Sequence, residues 1–173
     1  MTAPHLVLVG LMGAGKTTVG RRCAAALERD FVDTDDIVEA ATGMTVAAIF
    51  EQFGEARFRE LERDSVRDVC ASPVALVIAC GGGVVLDAAN RKQLRTSGFV
   101  VWLRASTATL GARVGDGASR PLLRDGKLAT LERLATQREP AYEGVADAVV
   151  DTDGRSIDAV ARAVLAEFTS CIR

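Results

Sequence analysis

Three uninterrupted apolar runs stand out along the chain: Leu6–Val9, Val74–Ala79 and Phe99–Leu103. Each is too short for a buried helix and lacks the polar alternation of a half-exposed strand, so each predicts a strand covered on both faces. Phe31-Val32 and Ala148-Val149-Val150 are shorter candidates for two more strands. Between them apolar positions recur with a 3.6-residue period, predicting helices over 16–27, 45–53, 55–71, 87–95, 107–113, 130–142 and 156–168. Ser156 and Asp87 are placed as N-caps, and Gly43 is placed to end a short preceding helix. The alternation implies an α/β fold: a central parallel sheet of about five strands with helices on both faces.

Two stretches interrupt this repeat. One, about 35–61, inserts helical sequence after the second strand; the other, about 114–127, is rich in glycine and charge and contains a lone Pro121. The first is expected to form part of a substrate wall and the second a mobile lid, since glycine-rich loops beside phosphate sites often exclude water when they close.

Composition narrows the classes. With 173 residues, 49% of them hydrophobic, the chain suits a single domain with a full core. Lys and Arg total 21 against 23 Asp and Glu, a net charge of -2, so the clustered positive charge of a nucleic-acid partner is not expected. The four cysteines, Cys23, Cys70, Cys80 and Cys171, have no CxxC spacing and are expected to be reduced core or near-core residues. His5, the single histidine, is expected at the surface, away from any chemistry. No basic stretch precedes the first apolar run, and no apolar run approaches the ~20 residues that span a bilayer. A cytoplasmic protein with no membrane partner is expected.

The chemistry begins where the first strand ends. Gly10-Leu11-Met12-Gly13-Ala14-Gly15-Lys16-Thr17 spells G-x-x-x-x-G-K-[ST] between a buried strand and a helix. Backbone N–H groups of such a loop point inward around an anion, and the helix N-terminus adds positive potential. A nucleotide phosphate cradle of Gly13, Ala14, Gly15, Lys16, Thr17 and Thr18 is therefore expected, with Lys16 reaching the β- and γ-phosphates and Thr17 ligating Mg2+. The third strand ends in Cys80-Gly81-Gly82-Gly83 rather than a carboxylate, so a magnesium partner must come from elsewhere. Asp33 and Asp35, two apart at the end of the second strand, are the candidates: one for the metal through water, the other for the phosphate acceptor. Helix N-capping by the same acidic cluster is the alternative use. The triple glycine lets backbone approach a ligand closely. Arg59 and Glu62, three apart on a helix, can form a pair that orients the guanidinium, a spacing more often found on surfaces.

Taken in order, GLMGAGKTT at Gly10, DTD at Asp33, FRELE at Phe58, GGG at Gly81, RPLL at Arg120 and Arg138-x-x-x-Tyr142 resemble the shikimate kinase family over nearly the whole chain. Met12, Cys80 and Asp153-Gly154-Arg155 depart from its usual pattern. The resemblance implies a three-layer P-loop kinase fold, spanning 1–173 as one domain and acting as a monomer. It implies transfer of the γ-phosphoryl of ATP to the 3-hydroxyl of shikimate, on the route to aromatic amino acids. Arg59 and Arg138 would hold the shikimate carboxylate, with Gly81, Gly82 and Gly83 beside the ring and Asp35 receiving its hydroxyls. Arg120 would close with the lid onto the phosphates, Arg113 and the region of Arg155 would meet adenine, and Asp33 would hold Mg2+ through water. Lys16, Asp35 and Arg120 would carry the catalysis.

A gluconate or nucleoside monophosphate kinase of the same architecture is the competing enzyme reading. A guanine-nucleotide switch would need an N-K-x-D element, which Asn90-Arg91-Lys92-Gln93 does not supply.

Overall fold

The computed structural model describes residues 4–114 and 127–171. Five strands, β1 (His5–Val9), β2 (Phe31–Asp33), β3 (Val77–Ala79), β4 (Gly98–Arg104) and β5 (Ala148–Asp151), form one parallel sheet in the order β2-β3-β1-β4-β5. The chain leaves β1 for the far edge, returns to β3 on one side of it, and crosses to β4 on the other. β1 is thus the strand at which the order reverses, and the crevice above its carboxyl end is where such sheets bind ligands. Burial follows position: β1 and β3 are wholly buried, whereas edge strand β5 leaves Val149 exposed.

Among the described residues seven α-helices cover the sheet: α1 (Lys16–Leu27), α2 (Thr34–Thr42), α3 (Val46–Cys70), α4 (Ala88–Ser97), α5 (Thr107–Arg113), α6 (Lys127–Val145) and α7 (Ile157–Cys171). Helix α1 packs against α7, while α4 packs against α3 and α6. The caps follow the local rules. Asp87 accepts from the N–H groups of Ala89 and Asn90, Ser156 accepts from Ala159, and Gly43 ends α2 at φ 67°.

Helix α3 joins the two helices expected over 45–53 and 55–71, and the break between them survives as Gly54, at φ 80° and ψ 172°. No L side chain adopts that conformation without strain, so glycine is what lets the axis turn there. Helix α3 spans two cores, which part beyond Leu61. Phe58 packs with Val38 and Ile49 in a small cluster, whereas Val66 and Val69 join the main core of the sheet.

Several expectations need correction. His5 is buried, because its Nδ1 accepts from Leu76 N–H at 3.0 Å beneath the start of β3. The third strand begins at Val77 rather than Val74; a Ser72 turn, with Ser72 Oγ bonded to both the N–H and the carbonyl of Val74, leaves Val74 exposed. Helix α6, expected over 130–142, extends from Lys127 to Val145. Helix α6 runs through Pro140, since Leu134, Arg138, Tyr142 and Val145 on its inner face are all buried and hold the helix across the missing N–H. Cys171 is exposed; Cys23 and Cys80 are buried, Cys70 is half-buried, and all four are free thiols.

Candidate active site

One cavity of about 820 Å3 runs along the carboxyl edge of the sheet from the phosphate loop to α3 and α6. It gathers most of the expected site residues: Gly13 through Thr18, Asp33, Asp35, Arg59, Gly81 through Gly83, Arg113, Arg138 and Arg155 all line it. Arg120 and the expected lid interior, 115–126, lie outside the described residues.

At one end the loop after β1 turns through Gly13 (φ 83°) and Gly15 (φ 95°) into α1. Lys16 Nζ folds back over it, donating to the carbonyls of Gly10 at 2.8 Å and Leu11 at 3.0 Å. Thr17 Oγ1 donates to Asp33 Oδ2 at 2.8 Å, which turns its lone pairs away from that carboxylate. Beside the loop, Arg113 donates to the hydroxyl and carbonyl of Thr152, each at 2.9 Å. Arg155 is clamped between the carbonyls of Asp151 and Ala159.

The acidic pair is arranged differently from a shared strand face. Asp33 ends β2 and caps α2, accepting from Asp35 N–H at 3.0 Å, and Asp35 lies in the first turn of that helix. Capping and cavity placement therefore coexist, and the helical turn sends the two carboxylates to different neighbours. Asp33 meets Thr17, while Asp35 reaches Gly81, where an added Cβ would stand 2.7 Å from its Oδ1.

The far end is built from buried side chains. Arg59 donates through Nε and Nη2 to Glu55 and through Nη1 to Glu62, at 2.9–3.2 Å, which leaves two of its five N–H groups. Those donors lie against Gly83, whose Cβ would fall inside the guanidinium. Gly81 is crowded by Glu62 as well as Asp35, and Gly82 faces Arg138 Nη1. The triple glycine is thus a wall thinned so that charged groups can stand against the backbone. Tyr142 O–H donates to the Gly82 carbonyl, and Gly81 N–H donates to Thr34 Oγ1 at 3.1 Å, fixing the turn from both sides.

Arg138 is 2% exposed, makes no ion pair among the described residues, and its Nε has no hydrogen-bond partner. Burial depresses its affinity for a proton, helped by the like charge of Arg59 and opposed by Tyr142. Arg59 and Glu62 respond oppositely to their pairing. Burial works against the charge of Arg59, but two carboxylates outweigh it and hold the guanidinium charged. Nearly complete burial of Glu62, with the like charge of Asp35, outweighs the guanidinium of Arg59 and the weaker pull of Arg138, so its carboxyl is pushed up to about 7.

A family profile described as Shikimate kinase matches residues 12–169. The chain belongs to the shikimate kinase family. Its activity is that of the family, transfer of a phosphoryl group from ATP to a hydroxyl of shikimate. The shikimate kinase of Bordetella pertussis is 45% identical over 166 residues, covering 94% of this chain and 78% of that one. The shikimate kinase of Xanthomonas campestris is 43% identical over 165 residues, covering 94% and 91%. A solved shikimate kinase from Acinetobacter baumannii, in complex with shikimate, superposes with a TM-score of 0.95 at 37% identity, covering 98% of this chain and 95% of that one. A gluconokinase from Sinorhizobium meliloti, at 18% identity and a TM-score of 0.61, shares the fold alone.

Within this shikimate kinase frame, sequence reasoning underrated three residues. Glu62 holds the Arg59 guanidinium as its spacing allowed, at 2.9 Å, but that spacing is more usual on surfaces and its full burial was not foreseen. Glu55 and Tyr142 are further holders of Arg59 and Gly82. The spacing of Glu55, Arg59 and Glu62 on one helix was the available signal; burial on that face was not legible locally.

Proposed function

We propose that the cavity binds ATP at its phosphate-loop end and shikimate at its arginine end, and that the γ-phosphoryl passes between them to the 3-hydroxyl, giving shikimate 3-phosphate and ADP. The observation that carries the acceptor assignment is Arg138: a buried guanidinium with no ion pair among the described residues and an unpartnered Nε calls for an anion. Arg59 has two N–H groups to spare beside it, so the pair suits a small carboxylate.

Asp35 stands where it can orient the acceptor hydroxyl and take its proton. The O–H bond breaks toward the aspartate oxygen as the new O–P bond forms and the bond between the β,γ-bridging oxygen and the γ-phosphorus breaks. The transition state is loose, so alignment and neutralisation of phosphoryl charge are the main contributions of the protein. Lys16 would exchange its loop carbonyls for phosphate oxygens, joined by the amides of Gly13, Ala14, Gly15, Thr17 and Thr18. Arg120 would add its charge from the lid over 114–127, and Arg113 with Arg155 would flank adenine.

Mg2+ fits the oxygen pair at the cavity floor. Thr17 would hold it directly and Asp33 through water, in keeping with a small hard cation that otherwise keeps waters and substrate phosphates. When bound, it supplies neutralisation of phosphate charge. The rest of our reading is a single kinase domain that works as a cytoplasmic monomer without nucleic-acid or membrane partners. No helix among the described residues is long and apolar enough to cross a membrane.

Calorimetric titration of shikimate onto wild type and Arg138→Met tests the acceptor seat. Loss of a desolvated charge pair should weaken binding by about 2–5 kcal/mol with nucleotide affinity retained. Unchanged shikimate binding in the variant would remove Arg138 from the site.

A further inference from the structure

The acceptor end holds more buried negative charge than its chemistry uses. Glu62 is 1% exposed; Oε2 accepts from Arg59 Nη1 at 2.9 Å, while Oε1 is buried with no hydrogen-bond partner. That oxygen and Asp35 Oδ1 converge: a Cβ on Gly81 would lie 2.9 Å from the one and 2.7 Å from the other. An ionised carboxylate only accepts hydrogen bonds, so the orphaned Oε1 becomes useful as a donor only when it carries a proton.

Resting on the reading of Arg59 and Arg138 as the seat of the acceptor's carboxylate, we propose that Glu62 is a positioning residue that takes up a proton when the acceptor binds. The carboxylate of shikimate then enters the site together with one hydrogen ion, drawn from solvent onto Glu62 Oε1.

The groups around Glu62 come from four elements. Arg59, and beyond it Glu55, share its helix α3; Asp35 faces it from α2, Arg138 and Tyr142 from α6, and Cys80 from the end of β3. Burial pushes the Tyr142 phenol and the Cys80 thiol up, so both stay neutral near pH 7, and the arginines stay charged. Glu62 itself is poised near neutrality, pushed up to about 7 by burial, with Arg59 opposing and Asp35 adding to the effect. An arriving carboxylate brings a third anion onto Arg59, divides the attraction that keeps Glu62 ionised, and displaces water. Each effect favours the protonated form. Linkage then requires affinity to weaken as pH rises above about 7, by up to about tenfold per pH unit, and to level off below it.

Titration calorimetry of shikimate at about pH 8, in two buffers of different ionisation enthalpy, reads the proton directly. Wild type should take up close to one proton per ligand. Glu62→Gln, which keeps an acceptor for Arg59, should take up almost none and bind with a flat pH dependence. Wild-type binding without proton exchange overturns the proposal and leaves the acceptor seat standing. The same uptake in Glu62→Gln overturns it too, assigning the proton to another group. Wild type that fails to bind shikimate overturns both. Should the variant not fold, an infrared difference spectrum of wild type decides: shikimate should add a protonated-carboxyl band, and its absence refutes the uptake.

Discussion

On the proposed assignment, the two ends of the cavity recognise charge by opposite means. The phosphate end uses backbone: consecutive amides around Gly13 and Gly15, one lysine already satisfied by loop carbonyls, and a hydroxyl paired with Asp33. The acceptor end uses side chains, Arg59 half-buried and Arg138 and Glu62 buried nearly to completion, and Arg138 Nε and Glu62 Oε1 lack hydrogen-bond partners. A backbone cradle is complete before ligand arrives and reads any phosphate. A buried guanidinium left unpaired is costly without its ligand, and that cost falls on any ligand lacking the matching anion. Generality and specificity are divided between the two ends accordingly.

Breaking the chemistry between the ends should have the largest effect. Asp35→Asn should lower turnover about 10²–10⁴-fold with ATP binding retained, and normal turnover in a coupled assay would reject its role. Next comes the stability cost of the buried acid. Glu62 has its carboxyl raised from 4.5 to about 7, so the folded state binds more protons than the unfolded state between those values. Stability therefore falls as pH rises through that window, by about 3 kcal/mol when complete. Denaturant melts of wild type and Glu62→Gln across it should diverge by that amount, and parallel curves would contradict the shift. At the phosphate end, Thr17→Val should weaken nucleotide binding by about 1.5–3 kcal/mol in Mg2+ alone, leaving shikimate affinity intact. Equal loss without Mg2+ would refute the metal assignment. The smallest effect belongs to the turn inside α3: Gly54→Ala should cost about 1–3 kcal/mol in thermal melts, and no loss would mean the kink relaxes freely.

The same contrast explains what could be read from the chain. The phosphate loop is local, eight residues whose strand-to-helix setting is visible in the Leu6–Val9 run. Sheet and helices were legible where burial is two-sided or periodic, and the Gly54 break was foreseen as a boundary between two helices. The acceptor end draws on α2, α3, the glycine turn and α6, which meet only in the fold. Its residues were legible through the resemblance of their ordered motifs, while the burial of Glu62 and the clasp of Tyr142 on Gly82 were not. His5 was misread because it was judged by residue type, and packing decided otherwise.

His5 leads elsewhere. Leu6 N–H donates to the Leu76 carbonyl at 2.9 Å while Leu76 N–H donates to the His5 ring, so an imidazole completes the ladder where the backbone of β1 runs out. Accepting at Nδ1 requires the neutral ring to carry its hydrogen on Nε2, and burial holds it neutral below the ordinary histidine value. It is the chain's single histidine, at the edge of the sheet opposite the chemistry. Its nitrogen resonances thus form a one-signal reporter: they should keep the Nε2–H tautomer while the amino edge is intact, undisturbed by ligands, and change when that edge opens.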